Sequence, residues 1–326
     1  MTDLRVDLSS LGAWSDQVER AGDNLGTAGE YSRSHLSDGD FGRILELITS
    51  DYEALIGSFH SVLDTDAQRL TGFSSALDLT REDFAETDAQ VAQTFGLGAA
   101  IVDGGSVTFP DARPAGSIPA PSNSGEILPE ISFGYLLDKC CDLITWVGGP
   151  DPREYVTKWI AGDIAKASLQ AEAWEHLSAC VDSVQRNLDA GLGRVGQTWG
   201  GGAAQNATAR TTSWIEALTT QSTSCTSMAG HLRDMVEQAV QMAQVVVDII
   251  KTVVSLVSAA LSSAYIPGWG QWKAIKTVKE AITLVNNARK VITVFWNTIT
   301  MIKDSIIMII NAFSFSSLPP EPAAAN

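Results

Sequence analysis

Side chains able to do chemistry are few in this chain and poorly placed for it. His35, His60, His176 and His231 stand far apart and form no familiar metal-ligand pattern with Cys, His or Glu. Asp38-Gly39-Asp40 and Asp64-Thr65-Asp66 begin like calcium loops but lack the ligands that should follow. Gly200-Gly201-Gly202 succeeds a helical pattern rather than a strand and has no Lys-Ser/Thr behind it, so it is not a phosphate loop. Cys180, Cys225, His176 and His231 are the right types for a nucleophile pair, yet all four fall on helical arms with no cleft to serve. The expectation is a chain with no catalytic residue, no cofactor and no metal. Of the four cysteines, Cys140 and Cys141 are left open. Cys180 and Cys225 lie on opposite helical arms about one turn out of register, which favours free buried thiols over a bridge.

The elements that carry these residues are long amphipathic helices. From Leu8 to about Ser34, Leu11, Trp14, Val18, Ala21, Leu25 and Ala28 recur every three or four positions, with Asp7 as N-cap. After a turn at 35–40, a second helix runs from about Phe41 to Phe95. Residues 97–133 hold a dense set of prolines and glycines and read as a flexible linker; 134–167 read as short connecting helices. Trp174, Leu177, Val181, Val184 and Leu188 then stripe one arm. Trp214, Leu218, Cys225, Met228, Leu232, Met235, Ala239 and Met242 stripe another, with Gln221 the one polar member of that seam. Between the arms lies Thr198-Trp199-Gly200-Gly201-Gly202, where a reversal calls for positive φ and a tryptophan can cap the groove.

A Trp-x-Gly turn, Trp199-Gly200-Gly201, at the centre of two striped arms resembles the WXG-100 superfamily, the helical hairpins exported by type VII (ESX) secretion systems. The N-terminal hairpin, ending in Arg81-Glu82-Asp83-Phe84-Ala85-Glu86-Thr87-Asp88, is similar to the EspC-like secretion-associated family. Such substrates carry a Tyr-x-x-x-Asp/Glu export signal at the end of the second helix. No such tetrad occurs here; Phe84…Asp88 stands in that place with Phe for Tyr, and Trp159…Asp163 shares the spacing. The turn at Trp146–Pro152 resembles the N-terminal regions of actinobacterial polymorphic toxins.

Charge is uneven. Residues 1–95 carry net −12 and no lysine, 96–167 carry −4, and 168–326 are balanced. That acidity argues against nucleic acid as a partner. Met1–Arg5 has neither a basic nor an apolar run, so a Sec signal is not expected. The arm after the Trp-Gly turn runs on to about Ala264, and a last apolar helix, about Trp272 to Phe313, folds back along it. Residues 252–272 lack charge over a membrane-span length but contain Pro267, while Lys303 and Asp304 interrupt the other apolar stretch.

The combined expectation is an all-α protein in six parts. These are a hairpin (1–96), a flexible linker (97–133), connecting helices (134–167), a Trp-Gly hairpin with an extended second arm (168–265), an apolar helix packing back (266–313) and a disordered tail (314–326). Two arrangements of the hairpins fit the sequence: separate, or packed together as the two chains of family heterodimers are. The resemblance implies a secreted, non-catalytic effector, cytoplasmic before export, that is recognised by the secretion ATPase or by a cognate helical hairpin. Cell-envelope association and homo-oligomers fit as well. A second reading is a membrane-active protein using residues 252–313, and a third is a structural part of the secretion machinery.

Overall fold

Asp7 opens the first helix as its sequence position predicts. Its carboxylate accepts from the backbone N–H of Ser9 (2.9 Å) and Ser10 (3.1 Å), filling two of the donors a helix start leaves free. The computed structural model describes residues 6–41, 43–94, 107–122, 164–263, 269–313 and 318–320. Among them are five α-helices: α1 (Leu8–His35), α2 (Thr49–Thr94), α3 (Ile164–Val195), α4 (Gly202–Ser263) and α5 (Trp269–Ala312). Cys140, Cys141, the Trp146–Pro152 turn, Trp159…Asp163 and most of 134–167 lie outside the described residues.

The all-α expectation holds, with shifted boundaries. The second helix begins as a 3₁₀ segment, Arg43–Ile48, and becomes α-helical only at Thr49. Gly39 explains the tight entry, since a Cβ there would sit 2.9 Å from the Thr49 carbonyl oxygen. Residues 164–167 belong to α3, and α5 starts at Trp269 rather than Trp272.

α1 and α2 form one antiparallel hairpin, α3 and α4 another, and a single apolar core unites them. All six apolar stripe residues of α1 are buried in it, and so are Trp174, Leu177, Val181, Val184, Trp214, Leu218 and Leu232. The α3–α4 stripes are therefore not private to their own hairpin. Trp174 packs on Phe59 of α2 (ring centroids 4.9 Å apart) and donates its indole N–H to the Tyr52 hydroxyl (2.9 Å). That hydroxyl in turn donates to Gln170 Oε1 (2.6 Å). α5 returns along α4 and reaches α2, where Phe313 stacks on Phe59 (4.9 Å) and Lys303 pairs with Asp51 (3.2 Å). The far part of α4, about 93 Å long over its 62 residues, packs on α5 through a small separate cluster of Val253, Ala281 and Val285.

Two segments expected to be loose are docked. Residues 107–122 of the 97–133 stretch lie across α1 and α3 instead of forming a flexible linker. Asn187 accepts from the Arg113 N–H and donates to the Arg113 carbonyl, both at 2.8 Å. Arg20 donates to the Phe109 carbonyl (2.6 Å), Cys180 to the Ala115 carbonyl (3.3 Å), and Phe109 and Ala115 are buried. Of the 314–326 tail, Leu318–Pro320 is likewise held, with Leu318 and Pro319 buried. The reason is common to both. Proline-rich chain cannot bond its own backbone, so its carbonyls are met by side chains of neighbouring helices.

Candidate interaction site at the Trp-Gly turn

The reversal between α3 and α4 is built from backbone bonds and one unusual residue. Thr198 and Trp199 donate their N–H groups to the Val195 carbonyl (3.0 and 2.9 Å), closing the end of α3. Gly201 then adopts φ 112°, the one positive φ among the described residues, and its carbonyl accepts from Gln205 N–H (3.1 Å) in the first turn of α4. The geometry that glycine was expected to permit thus falls on Gly201, with Gly200 between it and the tryptophan.

Trp199 is 5 % exposed and stands against the other hairpin. Its ring meets Trp14 of α1 at 6.1 Å, edge to face, and Trp14 meets Phe73 of α2 at 5.9 Å. Asp7 N–H donates to the Thr198 carbonyl (3.2 Å), so the start of α1 is fastened to the turn. At Gly191 of α3 a Cβ would lie 3.0 Å from the Trp14 ring and 2.1 Å from Gln17 Oε1, so the helices approach closely just before the reversal. The tryptophan caps a groove between hairpins rather than the seam within its own.

α2 runs past this end. Gly12 faces Arg81, Ser15 bonds Ser74 and Gly22 faces Leu70, so α1 starts opposite about residue 84 and the last ten residues of α2 extend beyond it. Phe84 is half-buried against the common core, while Asp88, Glu82, Asp83 and Glu86 are exposed. Thr80, one turn before Phe84, lines the same cavity as Trp199. The two features singled out in the sequence, Trp199-Gly200-Gly201 and Phe84…Asp88, are therefore brought to one end of the molecule. No family model, curated protein or solved structure matches this chain.

At this end lies a groove of about 570 Å³ lined by Phe73, Leu77, Thr80 and Trp199, and the residues of α2 that follow Thr80 are acidic. No three His, Cys, Asp or Glu side chains converge on a metal-sized site among the described residues. Glu172, His176 and Cys180 do recur at four-residue spacing on α3, contrary to the expectation that no histidine here has a Cys, His or Glu at metal-ligand spacing. Cys180 turns away to the Ala115 carbonyl, and His176 is held against α1 with its Nδ1 3.0 Å from the Tyr31 hydroxyl. Burial, and then the Glu172 charge, push the Tyr31 hydroxyl up to about 12. Cys180 and Cys225 are free and buried; burial pushes the Cys180 thiol up to about 12 and Cys225 well above the ordinary range, so neither is a ready nucleophile.

The polar member of the α4 seam, Gln221, has a partner that spacing could not reveal. Its Nε2 donates to Asp66 Oδ2 (2.8 Å), 155 residues away on α2, with both side chains enclosed in the core. Burial raises the Asp66 carboxyl to about 7, against smaller lowering effects of Gln221 and Arg69.

Proposed function

We propose that this protein is a type VII secretion substrate, an exported effector that works by helix-mediated binding and not by catalysis. What supports the reading most is one observation. The Trp199-Gly200-Gly201 turn of one hairpin and the end of α2 that carries Phe84…Asp88 lie toward the same end of the helices, with Thr80, one turn before Phe84, lining the same groove as Trp199. In that reading the chain folds as its own heterodimer, the acidic hairpin taking the place of a separate partner. The export ATPase or a cognate hairpin reads the exposed acidic end of α2 next to the turn. Phe84 supplies the aromatic and Asp88 the carboxylate one turn on, on the same face.

Asp88→Ala is the clean test, because Asp88 is exposed and its loss leaves the core intact. Export is read as protein in the culture supernatant against the cell pellet, with folding checked by circular dichroism. The expected result is retention in the cells with an unchanged melting curve; undiminished secretion removes Phe84…Asp88 as the signal.

A second reading, membrane action by the C-terminal helices, also has a specific observation behind it. Segments within Gly202–Leu256 and Lys279–Ala312 are long and apolar enough to cross a membrane. α5 also turns Val294, Met301 and Met308 outward at seven-residue spacing, each more than 60 % exposed. Dye leakage from anionic and neutral vesicles tests it: release at micromolar protein supports this second reading, and intact vesicles count against it.

A further inference from the structure

One groove runs between α2 and α4, and the described residues fill only part of it. α5 occupies it as far as Phe313 on Phe59. Leu318-Pro319-Pro320 continue the filling toward the Trp-Gly turn. Two successive prolines hold this stretch extended. Each fixes its own φ, and each bars the residue before it from the helical region. An extended chain of that kind has no internal hydrogen bonds, so each carbonyl needs an outside donor.

The groove supplies those donors. Arg69 Nη1 reaches the carbonyls of Leu318 (3.4 Å) and Pro319 (2.9 Å), and Arg210 Nη1 takes the Pro320 carbonyl. The Arg210 guanidinium also lies over the Phe73 ring, 5.8 Å from its centroid. Among the described residues, a cavity of about 570 Å³ borders Pro319 and Pro320, floored by Phe73 and Leu77, walled by Ala203 and Ala207, and closed by Trp199. Two alanines one turn apart on α4 leave the space that larger side chains would fill. Thr80 and Ser213 line the same opening with their hydroxyls donated to the Ala76 and Ala209 carbonyls of their own helices, and Asn206 brings an exposed side-chain amide to its rim.

We propose that this groove is a binding site for an extended, proline-containing segment of a partner protein, with Leu318–Pro320 as a tethered occupant of its near end. An aromatic floor and end, Phe73 and Trp199, with arginine donors aimed at main-chain carbonyls are the chemistry that recognises such segments. A helical partner would present its carbonyls already bonded within the helix, leaving the arginines little to read. The site is independent of export: it stands or falls whether or not the chain is secreted.

The test uses the full-length protein and a fluorescein-labelled Leu-Pro-Pro-Leu-Pro-Pro peptide, with Leu-Gly-Gly-Leu-Gly-Gly as control, followed by fluorescence anisotropy. A tethered segment competes at an effective concentration of about 1 mM. Releasing it by the combined change Leu318→Gly, Pro319→Gly and Pro320→Gly therefore tightens binding of a peptide with intrinsic Kd of about 10 μM roughly a hundredfold. In that released background Ala207→Trp, which fills the open groove, weakens binding at least ~10-fold, and Arg210→Ala, which removes one carbonyl donor, does so by ~3-fold or more. Both variants are checked for native circular dichroism, and Arg210→Ala carries the test alone if Ala207→Trp does not fold. Equal affinity for the glycine control overturns the proposal. So does an affinity indifferent to strap release, or no binding by the released protein up to ~1 mM peptide.

Discussion

Replacing Asp66 by Asn should make this protein more stable at alkaline pH and flatten its pH dependence. Asp66 is enclosed between α2 and α4, and its one hydrogen bond comes from Gln221 Nε2. Asp66 Oδ1 and Gln221 Oε1 are both buried without a partner. Two acceptors cannot bond each other, but a carboxyl proton on Oδ1 supplies the donor that both oxygens lack. Burial accordingly lifts the carboxyl to about 7, with Arg69 of its own helix and Gln221 of α4 pulling weakly the other way.

The sign follows from proton linkage. In the unfolded chain an aspartate titrates near 3.9, so between about pH 4 and pH 7 the folded state holds a proton that the unfolded state has lost. Stability from this group is full below pH 4 and declines as pH rises through about 7, by about 4 kcal/mol in all, or about 2 kcal/mol between pH 5.5 and 8.5. The sequence pI of about 4.6 makes pH 5.5 a sensible lower limit for solubility. Asparagine offers a fixed donor to Gln221 Oε1 and a fixed acceptor to Nε2 at every pH. Guanidinium unfolding of both proteins across that range gives a difference curve in which His60 and His231, each lowered mainly by burial, largely cancel. Asp66→Asn protein should gain about 2 kcal/mol on wild type as pH goes from 5.5 to 8.5. Parallel curves, or a variant less stable than wild type at pH 8.5, would refute the buried protonated pair.

Other positions test the turn and the docked segment. Trp199→Ala empties a buried site against Trp14 and should cost about 3 kcal/mol by denaturant titration; a loss under about 0.5 would mean the ring contributes nothing to the junction of the hairpins. Gly201→Ala places a side chain at φ 112° and should cost about 1–2 kcal/mol, with faster amide exchange in the first turn of α4. Asn187→Ala breaks both hydrogen bonds to Arg113 and should cost about 2 kcal/mol. Exchange at the Arg113 amide should then rise strongly, whereas unchanged protection would mean that packing of Phe109 and Ala115 alone holds the segment.

The local features of the fold were legible because a helix writes its period into any dozen residues. The Asp7 cap, the stripe from Leu11 to Ala28, the seam from Trp174 to Val184 and the glycine reversal after Trp199 all needed no more than neighbouring positions. The candidate site was half legible: the turn and Phe84…Asp88 could each be picked out, but nothing local placed them together. Residues 107–122 and Leu318–Pro320 dock where their composition points to loose chain, for a physical reason. Proline and glycine report that a segment cannot be a helix, not whether Asn187, Arg20, Arg69 or Arg210 will bond its carbonyls.

What the amino-acid sequence determined alone was therefore the set of rods, their apolar faces and the places where they bend. Several stripes of similar width are available in one chain, and burying any of them against any other satisfies the same hydrophobic demand. Which stripe meets which was decided in three dimensions, by contacts such as Trp14 on Trp199, Tyr52 with Trp174, and Asp66 with Gln221. Their members lie more than a hundred residues apart, and only the folded chain brings them within bonding distance.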